Sequence, residues 1–415
     1  MFFNPDRSMT RLAVIFCLAL LAAAPVSAQE VPVADTLATS MEGQAVPALG
    51  MLVIRDGVVV DQAVRGVRSM EGGTPVSLND RWNLGSDGKA MTATMVARLV
   101  ERGLLRWDAP LSEMLPELAA DMRPEYRDVT LLELMSHRSG LPENLSDMAY
   151  FQTFFTDGQP LPEQRLAYLR RAVAEAPVGP ARGEASYSNT GFILAGAIAE
   201  RVTGKSFADL MKQEVFAPLG MTSATYDQTP DAGEAVGHID GRVAIETEGN
   251  PEMLTPAGGV RMTLADWARF CVDQLAGEEG RGRLLATDTY RVLHTPQGDT
   301  VFALGWGATP QIAGRVGPVL THAGSDGTWF AFVALFPGSG NGVLIVANAA
   351  DSMGGDAAVM SAALAGIVLP VCRSERAVVQ ADEEATAVGV EVRIQGRAQV
   401  GCLFGVEGVD HPGAD

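Results

Sequence analysis

Histidine and cysteine are scarce in this chain of 415 residues, with five of the first and four of the second. Cys17, Cys271, Cys372 and Cys402 fit no zinc-ligand spacing, and no His-Glu-x-x-His pair occurs, so no metal and no cofactor is expected. No Gly-x-Ser-x-Gly elbow is present, and nothing in the chain requires a Ser-His-Asp triad. Lysine and arginine together number 31 against 50 acidic residues, a formal charge of −19. No basic cluster tracks a phosphate backbone, which argues against nucleic acid as a partner; the acidity serves solubility. No internal repeat of about 20 to 50 residues is found. With 47% hydrophobic residues the chain is able to bury a large core or two joined lobes.

The chain opens on a processing signal. Arg7 and Arg11 precede an apolar run from Leu12 to Ala24, and Val26-Ser27-Ala28 supplies a small-residue cleavage site. Residues 1–28 therefore read as a signal peptide, too short in its apolar part to span a bilayer. Export to the periplasm or beyond is expected, with no stable membrane insertion after processing. Cys271, in the segment Trp267-Ala268-Arg269-Phe270-Cys271-Val272, reads as a small buried thiol. Cys372 and Cys402 flank the C-terminal tail, and an oxidising compartment would permit them to pair.

Val46 to Ile54 reads as a strand, Arg55-Asp56-Gly57 as a hairpin turn, and Val58 to Val64 as its partner. Residues 86 to 290 are rich in helix signals. Strand signals resume at Phe302–Gly307, at Thr328–Phe336 and at Gly342–Asn348, and a helix over about Gly355 to Val368 closes the pattern. The two ends thus share one antiparallel sheet flanked by helices, with a helical lobe inserted between them: an α/β plus all-α arrangement. A site is expected in the groove between the lobes.

The motif that carries chemistry is Ser86-Asp87-Gly88-Lys89, where a turn runs into the apolar helix Ala90–Val100. Three residues along a helix bring two side chains onto one face, so Lys89 reaches the Ser86 oxygen. A serine hydroxyl needs a neighbouring base, and a buried lysine loses its proton readily enough to be one. The string Gly-Ser-Asp-Gly occurs twice, at 85–88 and 324–327, but only Ser86 has a lysine three residues on; Ser325 is followed by Thr328. Gly88 costs the helix about 1 kcal/mol of propensity.

Two further constellations follow in order, Tyr187-Ser188-Asn189 and His322-Ala323-Gly324-Ser325. With Ser86-x-x-Lys89 they resemble the serine β-lactamase and penicillin-binding-protein family, in its class C-like branch of DD-peptidases, D-aminopeptidases and S-x-x-K esterases. Leu134 to Pro142, Gly196 to Phe207, Ala217 to Met221 and Pro256 to Val260 resemble further segments of that family. The resemblance covers about residues 40 to 370. It implies a hydrolase domain over 29–371 and leaves 372–415 as a C-terminal extension without an assigned role. In that extension Val390, Val392 and Ile394 alternate with charged residues as one strand does.

By this resemblance Ser86 attacks an acyl carbon, Lys89 takes its proton, and Tyr187 is a second proton-transfer group whose pKa Lys89 would lower. Asn189 would donate its amide to substrate or to Lys89; read without the family, Tyr187 and Asn189 are a turn capping a helix from Gly191 to Val202. The backbone amides of Ser86 and Ser325 are the candidate oxyanion donors, and Gly324 would keep the strand clear where substrate approaches. His322 stands where many relatives carry lysine, which weakens the case for substrates with a carboxylate. His137, after a helix over Thr130–Ser136, reads as ordering a turn. Gly204-Lys205-Ser206 lacks the earlier glycine of a phosphate loop. The expected function is an exported serine hydrolase acting on a small ester or a D-amino-acid peptide. A β-lactamase, and a non-catalytic module recognising cell-wall fragments or a partner, are the competing readings.

Overall fold

The computed structural model describes residues 31–177 and 182–368. The leader over 1–28, the extension over 372–415 and the cysteines Cys17, Cys372 and Cys402 lie outside the described residues. Among the described residues no helix is long and apolar enough to cross a membrane.

After α1 (Val33–Ser40), β1 (Ala48–Arg55) and β2 (Val58–Gly66) form the expected hairpin. Its turn holds Asp56 at φ 53° and Gly57 at φ 75°, the two positive angles of a type I′ turn whose twist suits the strands. The chain then leaves the sheet for the helical lobe, through α2 (Gly88–Glu101) and α3 (Asn189–Thr203), and returns by way of α4 (Leu264–Gly277). The sheet is completed by β3 (Gly307–Ile312), β4 (Arg315–Ser325), β5 (Phe330–Phe336) and β6 (Asn341–Ala347), and α5 (Gly355–Val368) follows. The spatial order is β2-β1-β6-β5-β4-β3, all antiparallel. β1 meets β6 with Leu49 opposite Ala347 and Val53 opposite Val343, so the first and last parts of the sequence join mid-sheet.

Both faces of the sheet are covered. Met51, Val53, Phe332 and Ile345 pack with Val33 and Leu37 of α1 and Ala358 and Ala362 of α5. Leu52, Ile54, Leu344 and Val346 belong to the larger core that runs through α4 into the helical lobe. This is why β1 is a continuous apolar run rather than an alternating one. Each such side chain contributes about 1.5–3 kcal/mol on burial.

Three details differ from the sequence reading. Phe302–Gly307 is a turn, not a strand: Gly305, at φ 74°, sits against the Lys89 carbonyl and donates its N–H to Met135 O. The strand after the second Gly-Ser-Asp-Gly begins at Phe330, because Asp326 Oδ1 accepts from the amides of Thr328 and Trp329 and folds them into a turn. His322 to Ser325 end a strand of their own, β4, whose pattern Gly317 and Pro318 interrupt. β4 is not the edge strand of the sheet, but β3 pairs with it only as far as Thr321, so residues 322–325 keep one side open.

That open end is seated on the turn before α2. A Cβ on Gly85, itself at φ 48°, would stand 2.5 Å from Ser325 N; one on Gly324 would stand 2.0 Å from Leu84 O and 2.7 Å from Ser86 N. Gly324 therefore serves the seating of the strand on this turn, a role not foreseen from sequence. Gly88 differs: its Cβ would meet Gly258 and Val260 at an ordinary 3.4 Å. Gly324→Ala is expected to lower the unfolding free energy by about 2 kcal/mol or more. Gly88→Ala should leave it unchanged or raise it by up to about 1 kcal/mol. Urea unfolding midpoints compare the two, and an unchanged midpoint for Gly324→Ala would refute the close seating.

Candidate active site

Ser86 lies in the helical turn Gly85–Asp87 that leads into α2. The turn is clamped from both sides. Asn83 Oδ1 accepts from Gly85 N at 2.9 Å, and Gly85 O accepts from Gly259 N at 3.1 Å. Ser86 is thereby held half-buried at the head of a buried helix.

Lys89 is fully buried, and its Nζ has three oxygen neighbours: Ser86 Oγ at 2.9 Å, Asn189 Oδ1 at 2.7 Å and Ala257 O at 2.6 Å. Two of these, an amide oxygen and a carbonyl, only accept. Its N–H groups serve those two, so that in its neutral form the lone pair is left for the Ser86 hydroxyl. Burial lowers the Lys89 pKa to about 7, against the opposing pull of Glu143 and Asp87.

Tyr187 and Asn189 come together with this pair, as the sequence predicts, but in altered roles. Lys89 Nζ lies 4.8 Å from the Tyr187 ring centroid. Burial nevertheless pushes the phenol pKa up, and the hydrogen bond with Ser86 only partly opposes it. The expected lowering by Lys89 is not found, and Glu143 and Asp87 add to the effect of burial; Tyr187 is a phenol, not a phenolate. The N-cap of α3 is Ser188, whose Oγ accepts from Gly191 N at 3.1 Å. Asn189 is thus freed from capping. It accepts from Lys89, where donation was expected, and donates through Nδ2 to Asn144 Oδ1 at 3.1 Å.

His137 does more than order its turn. It is buried at φ 55°. Its carbonyl accepts from Ser186 N at 2.8 Å and its Nδ1 from Ser188 N at 3.0 Å, while its ring stacks on Tyr187 with centroids 4.4 Å apart. Both amides flanking Tyr187 are therefore tied to one residue. Burial, Lys89 and His322 push the His137 pKa well down, which keeps Nδ1 an acceptor.

His322 sits half-buried across the groove on β4, its Nδ1 donating to Ala323 O at 2.9 Å. Burial and Lys89 push its pKa down to about 3, so it carries no charge at neutral pH. Ser325 Oγ donates to Trp329 O and accepts from Gly327 N, so the second Gly-Ser-Asp-Gly serine is spent on its own turn. Gly204, at φ 66°, closes α3 and Ser206 caps the next helix, which accounts for Gly204-Lys205-Ser206 without a phosphate. Cys271 is a free buried thiol, as expected. Sequence reasoning missed the Ala257 carbonyl, Asn144 and the clamp at His137; the Pro256–Val260 and Leu134–Pro142 resemblances were the signals that lay over them.

Comparison with known proteins gives the same direction. The Beta-lactamase family matches residues 33–366. The chain is 29% identical over 320 residues to "Penicillin-binding protein 4" of Amycolatopsis lactamdurans, covering 73% of this chain and 81% of that protein. It is 30% identical over 223 residues to "Esterase EstB" of Burkholderia gladioli, covering 52% of this chain and 54% of the esterase. In fold it is similar to the octameric penicillin-binding protein homologue from Pyrococcus abyssi, with a TM-score of 0.67 and 24% identity over 81% of this chain and 76% of that one.

His137→Ala would leave the Ser188 amide without its partner, at a cost of about 1–3 kcal/mol. His137→Asn, tolerant of a positive φ and able to accept a hydrogen bond, should recover part of that loss. Thermal or urea unfolding decides it, and equal loss in both variants would deny the clamp.

Proposed function

The chain belongs to the beta-lactamase family and is a serine hydrolase, and from that premise we propose that it turns over small uncharged esters through an acyl-enzyme on Ser86. The observation that carries this reading is the buried Lys89 amine, 2.9 Å from Ser86 Oγ and supplied with two obligate acceptors in Asn189 Oδ1 and Ala257 O. Lys89 takes the Ser86 proton as Oγ attacks the acyl carbon. The oxyanion forms between the amides of Ser86 and Ser325, which the glycine contacts bring onto facing backbones. The tetrahedral adduct collapses, Tyr187 gives its phenolic proton to the leaving alkoxide, and the Lys89 ammonium restores the proton to Tyr187. Water then enters by the reverse route and releases the acid.

An uncharged substrate is favoured because His322 offers no cation to a carboxylate, and the exposed carboxylate of Glu143 acts on Lys89 from the groove mouth. A D-amino-acid peptide is the second reading, supported by the likeness to a penicillin-binding protein. A pure binding module would have no use for a deprotonated lysine on a serine. The leader over residues 1–28 supports export.

Intact mass after exposure to a fluorophosphonate should show one adduct on the wild type and none on Ser86→Ala; no adduct on either would remove the acyl-enzyme. Lys89→Ala should slow acylation by about 10²–10⁴-fold. With its pKa near 7, the free base of Lys89 grows as pH rises, so acylation should fall about tenfold per unit below pH 7. A rate flat from pH 5 to 8 would dismiss Lys89 as the base. Aryl acetates should outpace D-Ala-D-Ala peptides in kcat/KM, and His322→Lys should narrow the gap; faster peptide turnover by the wild type would favour the second reading.

A further inference from the structure

Asn83 and Asp326 take no part in the proton transfers above, yet they stand beside the two candidate oxyanion amides. Asn83 is buried three residues before Ser86, and half-buried Asp326 directly follows Ser325. Asn83 Nδ2 donates to Asp326 Oδ2 at 2.9 Å, a bond across 243 positions of sequence. Asn83 Oδ1 accepts from Gly85 N at 2.9 Å. These partners fix the orientation of the amide, since a backbone N–H donates and a carboxylate oxygen accepts. The second acceptor of Nδ2, Gln228 Oε1, is more distant at 3.4 Å.

Both oxygens of Asp326 are engaged. Oδ1 accepts from Thr328 N at 2.8 Å, Thr328 Oγ1 at 2.9 Å and Trp329 N at 2.9 Å, which folds the turn after Ser325. Oδ2 faces Asn83. A chain of bonds thus runs from that turn, through Asp326 and Asn83, to the amide just before that of Ser86. The two segments also meet through Gly85 and Gly324, and through Trp82 and Trp329, whose rings stand edge to face with centroids 6.1 Å apart. Apolar packing brings backbones close but is not directional. A hydrogen bond to a carboxylate is short and directional, so it sets how one backbone lies along the other.

We propose that Asn83 and Asp326 are positioning residues, whose hydrogen bond sets the Ser86 amide against the Ser325 amide where the oxyanion forms. This role rests on the acyl-enzyme reading, with those two amides as its donors. Acylation and deacylation both pass through an oxyanion, so a displaced amide slows both steps. kcat then falls, while KM, which depends on the ratio of the two steps, holds.

Exchanging the two side chains tests the bond itself. Asp326→Asn keeps an oxygen for the Thr328 and Trp329 amides but turns an NH2 group toward Asn83 Nδ2. Asn83→Asp keeps an acceptor for Gly85 N but turns an oxygen toward Asp326 Oδ2. The double variant sets a donor against an acceptor again and keeps the bonds to Gly85, Thr328 and Trp329. With an aryl acetate, each single variant should lose about 30-fold or more in kcat, with KM within about threefold. The double variant should return to within about fivefold of wild type. A double variant no better than the singles would overturn the proposal, as would wild-type kcat in Asp326→Asn. Hydrogen exchange in the resting full chain, followed by mass spectrometry, reads the same bond without turnover. The Gly85 and Ser86 amides should exchange about tenfold faster in Asp326→Asn, at the far end of the chain of bonds, and regain protection in the double variant. Unchanged exchange in Asp326→Asn would equally overturn it. If wild type neither hydrolyses the ester nor takes a fluorophosphonate, the acyl-enzyme reading falls, while the exchange rates still judge whether Asp326 holds the Ser86 turn.

Discussion

An amine taken out of water loses its proton readily, and at Lys89 burial outweighs the opposing pull of Glu143 and Asp87. Its two obligate acceptors come from distant parts of the sequence, Asn189 at the head of α3 and Ala257 in the turn before α4. Neither is charged, so each orients the amine without strongly stabilising an ammonium. The turn that brings Ala257 is itself fixed. Thr92 of α2 donates to Pro256 O, and buried Arg165 donates to Met253 O and Thr255 Oγ1 while pairing with Glu200 of α3. A buried ion pair adds little net stability. Here its donors fix the backbone that aims a lysine.

The second constraint is the approach of three backbones. Gly85, Gly258 and Gly324 meet at the nucleophile, and a Cβ on Gly258 would stand 2.6 Å from Gly85 O. Side chains would hold these segments apart and with them the amides of Ser86 and Ser325. The oxyanion geometry is therefore a by-product of close packing between the head of α2, the Gly258–Gly259 turn and the free end of β4. It is set by backbone packing and not by substrate, which is the condition under which fixed dipoles are worth most.

What could be read from the sequence is what depends on local spacing. Ser86 and Lys89 are three apart on one helix, the hairpin turn at Asp56-Gly57 states its own angles, and α5 lies where its apolar run does. β4 escaped because Gly317 and Pro318 hide its alternation, although the sheet needs it to carry His322. The roles of Asn189 and Tyr187 were drawn from type and order, and their details turned on burial. Asn189 accepts because a lysine across a hundred residues of sequence needs an acceptor. Tyr187 keeps its proton because desolvation exceeds the opposing effect of its hydrogen bond with Ser86. His137 looked like a turn residue because the ring it supports belongs to a segment some fifty positions away, which no local pattern reveals.

These electrostatics bear on how the groove chooses a substrate. With His322 neutral and Lys89 close to half-protonated at pH 7, no permanent cation among the residues described at the site waits for a carboxylate. Asn189 Nδ2 donates to Asn144 Oδ1, so an incoming carbonyl must compete for the Asn189 amide donor. On the proposed reading, recognition falls on the candidate oxyanion amides and on the shape between β4 and the Tyr187 segment. On the proposed ester reading, such a site would discriminate poorly among acids and well between reactive and unreactive leaving groups, since it would stabilise the tetrahedral adduct rather than a tail. Esters leave more readily than amides, and without a cation at His322 to hold a substrate carboxylate, the proposed reading leaves less binding energy with which to assist the harder bond.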